Sequence, residues 1–119
     1  MQGRLATAYG SPLLVEGVAA VLKNLTWFDS VRMADPEQTP LEELKRFSAD
    51  LLVYFPEGVT SAEIRHFSHY VIVSELPQEE TALVVLSPFD SVKTIRVGIL
   101  SALSGQYYRS PRLRQPKGG

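Results

Sequence analysis

The chain has 119 residues, 45% apolar and 21% charged, with a net charge of −1 and no cysteine; it fits one compact domain with its own core and leaves no room for a second. The missing cysteines exclude a disulfide framework, a thiolate zinc site and a cysteine nucleophile, and nothing argues for an oxidising compartment, so a cytoplasmic location is expected. No apolar run approaches the roughly 20 residues that span a bilayer, and Met1-Gln2-Gly3-Arg4 lacks the layout of a signal peptide, so no membrane association is expected.

In chain order, Leu5 to Tyr9 reads as a first strand. Ser11-Pro12 then places a capping residue before the proline favoured at the first helical position, and a helix to about Leu25 carries Leu14, Val18, Val21, Leu22 and Leu25 on one apolar stripe. Phe28 to Ala34 is a weaker second strand, ended by Asp35-Pro36. Thr39-Pro40-Leu41-Glu42 has the spacing of a capping box, and helix two is expected from Pro40 to about Phe47. Asp50 to Phe55 is apolar after its first residue, as a central strand buried on both faces should be. Thr60-Ser61-Ala62-Glu63 repeats the capping-box spacing and opens a short helix through Phe67, followed by a fourth strand, Tyr70 to Ser74. Leu76 to Glu80 is barely long enough for one helical turn. Ala82 to Leu86 is the fifth strand, and Asp90 or Ser91 caps a last helix to about Ser104, where Gly105 ends it.

Strict alternation of strands and helices with right-handed crossovers predicts an α/β fold, a flavodoxin-like doubly wound five-stranded parallel sheet in the order 2-1-3-4-5. Sites in such sheets lie beyond the carboxyl ends of the strands, which directs attention to Tyr9, Gly10, Phe55, Pro56 and Glu57, with Ser74 and Ser87 alongside.

Three stretches carry a family resemblance. Ser11-Pro12-Leu13-Leu14-Val15-Glu16-Gly17-Val18, Ala49-Asp50-Leu51-Leu52-Val53-Tyr54-Phe55, and Thr94-Ile95-Arg96 through Ser104-Gly105-Gln106-Tyr107-Tyr108-Arg109-Ser110-Pro111 are similar to the start of helix one, strand three and the end of the receiver domain in two-component response regulators. The resemblance is strongest to the class joined to a LuxR-type helix-turn-helix, and it spans roughly residues 4 to 112. It implies a CheY-like version of this sheet, in which the segment between Ser74 and Leu83 leaves a shortened or missing fourth helix, and a signalling role with a transcriptional output.

The departures from that pattern are chemical. By the resemblance, the acidic pair that holds Mg²⁺ falls on Tyr9 and Gly10, the aspartate that accepts the phosphoryl group on Phe55, the switch hydroxyl on Ser74, and the strand-five lysine near Leu86 or Ser87. A hard divalent cation needs oxygen ligands and an acyl-phosphate needs a carboxylate nucleophile, and Phe55 supplies neither. Tyr9, Gly10, Phe55, Ser74 and Ser87 therefore form a degenerate phosphorylation site. Tyr9 and Phe55 either close the cleft by apolar packing or simply continue the strand core.

Other constellations are weaker. His66 and His69 stand three apart, but no third metal ligand is evident. Glu57 and Glu75 sit past strand ends, where solvated loop carboxylates are common. Gly118-Gly119 resembles the tail of ubiquitin-like carriers, whose β-grasp fold does not match this alternation. Gly10-Ser11-Pro12 offers one glycine where a dinucleotide fingerprint needs three. Neither a catalytic residue nor a cofactor is expected.

Residues 1 to 90 hold six cations against all thirteen acids, a net −7, whereas residues 91 to 119 hold six cations and no acid. An acidic body with a basic end suits a docking partner, DNA or self-association. Residues 1–108 are expected to form the receiver-like domain and 109–119 a basic flexible tail or linker. The expected function is a phosphorylation-independent, non-enzymatic module acting by protein contact. Its partners would be a second copy, a DNA-binding domain or a regulator protein; direct nucleic-acid binding through Tyr107-Tyr108 and the tail arginines is not expected. The interface is assigned to the last helix: Val92, Lys93, Ile95, Arg96, Ile99, Leu103 and Tyr107. The alternative is a small-molecule sensor that stacks a flat ligand between Tyr9 and Phe55.

Overall fold

In a computed structural model of the chain, the described residues are 4–44, 46, 49–56, 67, 69–75 and 83–114. The strands β1 (Leu5–Tyr9), β2 (Ser30–Ala34), β3 (Leu51–Tyr54), β4 (Tyr70–Val73), β5 (Val84–Leu86) and β6 (Tyr108–Arg109) form one parallel sheet in the order β2-β1-β3-β4-β5-β6. The expected order is present, with a sixth strand added. The helix expected at 60–67, apart from Phe67, and the segment 76–80, where a shortened or missing fourth helix is expected, fall outside the described residues.

Alternation of side chains along each strand splits the core into two layers. Ala6, Ala8, Leu51, Val53, Phe55, Val71, Val73, Val84 and Leu86 pack against α1 (Pro12–Asn24) and α3 (Val92–Leu103). Tyr9, Leu52, Tyr70, Ile72 and Val85 face the opposite way, with Leu44 of α2 (Leu41–Leu44) and Phe67. Strand β2 is largely exposed, as an edge strand can be. At the start of β1 two carboxylates satisfy backbone donors: Arg4 N–H donates to Asp29 and Leu5 N–H to Asp50, each at 2.7 Å.

Helix α1 begins at Ser11-Pro12 as expected, although the Ser11 side chain makes no capping bond. Its buried face is Val15, Val18, Ala19 and Leu22; Leu14, expected on the sheet-facing stripe, is exposed. Val18, Leu22 and Leu25 of the expected stripe are buried, Val21 is half-buried, and Val15 takes the inward place expected of Leu14. Helix α3 is capped as expected: Ser91 accepts from Thr94 N–H, and Gly105 turns the chain with φ +70°.

The sheet continues where a free tail is expected. Tyr108 N–H donates to the Leu83 carbonyl at 2.9 Å and Ser110 N–H to the Val85 carbonyl at 3.0 Å. These bonds satisfy the outer edge of β5. Ser110 is fully buried, and Pro111–Arg114 makes one further 3₁₀ turn. A two-residue strand has no periodicity to read, so only the unpaired edge of β5 explains it.

Candidate functional site

The carboxyl ends of β1, β3, β4 and β5 bring Gly10, Phe55, Ser74 and Ser87 to one rim of the sheet. Phe55 is 7% exposed and belongs to the core layer beneath α1 and α3. Its amide donates to the Tyr9 carbonyl at 2.9 Å, so the backbones of the two residues are adjacent. Their side chains are not. In the β1–β3 register Tyr9 pairs with Tyr54, not Phe55, and the pleat sends Tyr9 and Phe55 to opposite faces. The expected Tyr9/Phe55 stacking cleft is therefore corrected. Tyr9 stacks on Tyr54 instead, with ring centroids 5.6 Å apart.

The Tyr9 hydroxyl donates to the Thr39 carbonyl at 2.7 Å. Burial, then the neighbouring Tyr54 and Asp35, push its pKa above the ordinary 10.0. A raised value in the folded state means that the stability Tyr9 contributes is fully present below pH 10 and is lost as pH rises through the folded value. Tyr9→Phe should flatten this alkaline decline in urea denaturation midpoints, while costing about 1 kcal/mol at neutral pH because the Thr39 carbonyl loses its donor.

Gly10 is required by close approach. A Cβ added there would lie 2.6 Å from Phe55 Cβ, an atom fixed to the backbone immediately after β3 that cannot swing away. Gly10→Ala should cost about 1–3 kcal/mol. Since Phe55→Ala retains that Cβ, the penalty should persist in the double variant, as chemical denaturation would show.

On the other side of the rim, Ser74 and Ser87 are both buried. The Ser87 hydroxyl donates to Glu75 Oε2 at 3.3 Å and accepts from Phe89 N–H at 3.1 Å. Asp90, expected only as a helix cap, has a different role: one carboxylate oxygen accepts from Ser87 N–H at 2.8 Å and the other from the Ser110 hydroxyl at 2.6 Å. It joins the end of β5 to the exit from β6. No pattern in the sequence pairs Asp90 with Ser110, twenty positions away.

No group of three metal-ligating side chains occurs among the described residues. His69 Nδ1 lies 2.8 Å from the Ala102 carbonyl, which makes Nδ1 the protonated nitrogen; His66 and Glu57 lie outside the described residues. The Arg109 guanidinium sits over the Tyr107 ring at 4.1 Å and donates to the Tyr108 carbonyl, and that of Arg112 lies 5.8 Å from the Phe89 ring.

The interface residues assigned to α3 divide by burial. Ile99 is fully buried and belongs to the core, and Ile95 and Leu103 pack against it, which removes Ile99 as a surface contact. An apolar line along a helix looks the same whether it faces a sheet or a partner; here the sheet takes it. Val92, Lys93, Arg96 and Tyr107 are exposed, and Val97 and Leu100, which the apolar line passes over, are exposed beside them.

No protein-family model and no curated protein sequence matches the chain. Among solved structures, the signal receiver domain of NarL from Mycobacterium tuberculosis matches with a TM-score of 0.67 at 19% identity, over 88% of this chain and all of that one. The response regulator ChrA of a heme-sensing two-component system matches with a TM-score of 0.62 at 11% identity, over 99% of this chain and 70% of that one. The shared feature is the fold: a receiver-type, CheY-like parallel α/β sheet. No helix among the described residues is long and apolar enough to cross a membrane.

Proposed function

We propose that this receiver-fold chain is a degenerate, non-enzymatic signalling module of the cytoplasm. It acts by protein contact without accepting a phosphoryl group, and its output is transcriptional, as in the LuxR-type class that its sequence resembles. The observation that carries this reading is the 7% exposed Phe55 at the end of β3, a ring where phosphoryl chemistry needs a carboxylate. Gly10 beside it offers no side-chain oxygen, and the Tyr9 hydroxyl is engaged on the opposite face of the sheet.

Contact is assigned to the outward side of α3, where Lys93, Arg96, Val97 and Leu100 recur at helical spacing and Val92 and Tyr107 extend the patch. Mixed aromatic, aliphatic and cationic character of this kind suits a protein partner. The partner is a second copy or an acidic surface on a regulator protein. Incubation with acetyl phosphate and Mg²⁺ should leave the intact mass unchanged; a stable phosphoryl adduct overturns the reading. Light scattering should show concentration-dependent association that Leu100→Asp abolishes, and a strict monomer overturns self-association.

A further inference from the structure

A cleft of about 260 Å³ opens between α1 and α3, on the face of the sheet opposite Tyr9. Its walls include Val18 and Val21 of α1, Phe55, Val73 and Leu86 from the strand ends, and Ile95 of α3. Ser87 is the one polar side chain among its described lining residues. Leu14 and Val92 flank the opening and remain 45% and 56% exposed.

Size and shape indicate the occupant. An α-helix with its side chains is about 10–12 Å across, too thick for this volume, which lies just below the usual range of small-molecule pockets. Gly17, in the middle of α1, also lines the cleft, and a Cβ added there would meet nothing within 4 Å. Glycine inside a helix lowers its stability. Gly98 of α3 has a packing reason, because a Cβ there would come within 2.8 Å of the Leu86 methyls. Gly17 has none; its local effect is to widen the cleft.

The lining chemistry narrows the class further. With one donor and two acceptor sites on a hydroxyl, Ser87 Oγ uses its donor on Glu75 and one acceptor site on Phe89 N–H, leaving one acceptor site. No charged side chain stands among the described lining residues to neutralise an acidic or basic ligand.

We propose that this cleft binds a compact, neutral, largely apolar molecule of on the order of a dozen non-hydrogen atoms, carrying one N–H or O–H that Ser87 accepts. Such a ligand lies against Phe55 and Ile95, so its occupancy reaches both the phosphoryl-acceptor position and the helix assigned to partner contact.

Indole, and indene in which a CH₂ replaces the N–H, serve as probes of the whole chain carrying ¹³C-labelled methyl groups. Both should saturably shift the methyl resonances of Val73, Leu86 and Ile95, with indole binding several-fold more tightly. Gly17→Leu, which puts a side chain into the space the probe would take, should raise the Tm and lose the shifts; Val21→Phe is a second blocking variant. Absence of saturable shifts from either probe overturns the proposal, as do shifts that survive in both variants. Equal affinities overturn the Ser87 assignment, and methyl contacts between two copies across the cleft overturn the small-molecule occupant in favour of a second chain.

Discussion

Ile99→Asp should unfold the domain rather than detach a partner. Ile99 has no solvent exposure and packs within the layer formed by α1, α3 and the sheet. A carboxylate there loses the apolar contacts of a full isoleucine and must be buried as a charge or neutralised by protonation. The expected loss is about 5 kcal/mol, a large part of the roughly 5–15 kcal/mol that stabilises a domain of this size. Far-UV circular dichroism and urea denaturation at neutral pH would register it. One position along, Leu100 is 48% exposed, and Leu100→Asp should change monomer stability by no more than about 0.5 kcal/mol. Comparing these neighbours separates the two sides of α3: equal effects on folding would mean that the burial assigned to the helix is wrong.

The second large effect is at the strand-three rim. Phe55→Asp places a carboxylate where the resembled family keeps its acceptor, yet it should not bring back phosphoryl transfer. A phosphoryl group reaches such a carboxylate with a divalent cation held by nearby oxygens; the positions on which the resemblance puts the acidic pair are Gly10, with no side chain, and Tyr9, whose hydroxyl is bonded to Thr39 on the far side of the sheet. The variant should lose about 4 kcal/mol from the vacated ring volume and the desolvated carboxylate and still take up no phosphoryl group from acetyl phosphate. A shifted urea midpoint with an unchanged intact mass is the expected pair of results. If Phe55→Asp alone became phosphorylated, residues other than Tyr9 and Gly10 would have to supply the cation site, and the degeneracy of this rim would rest on one side chain.

Much of the architecture was legible in local sequence because its signals are local. Ser11-Pro12 and Ser91 mark helix starts, Gly105 a helix end, and the apolar run from Leu51 a strand buried on both faces. The candidate rim was legible for the same reason: Tyr9, Gly10, Phe55, Ser74 and Ser87 each follow or end a strand, and parallel strands deliver such residues to one edge. Strand β6 and the bridge from Asp90 to Ser110 were not, since two residues have no period and a hydrogen bond across twenty positions leaves no spacing to recognise.

By itself, then, the amino-acid order determined where the strands β1 to β5 and the helices α1 and α3 lie, the sheet order from β2 to β5 and the absence of a carboxylate at residue 55. Tertiary structure alone decided that Tyr9 meets Tyr54, that Ile99 points inward while Leu100 points out, and that a cleft remains beside Gly17. The physical reason is that a side chain's identity is local whereas its direction is relative. Which face it occupies depends on the register of a neighbouring strand or the roll of a helix, and both are set by what packs against them.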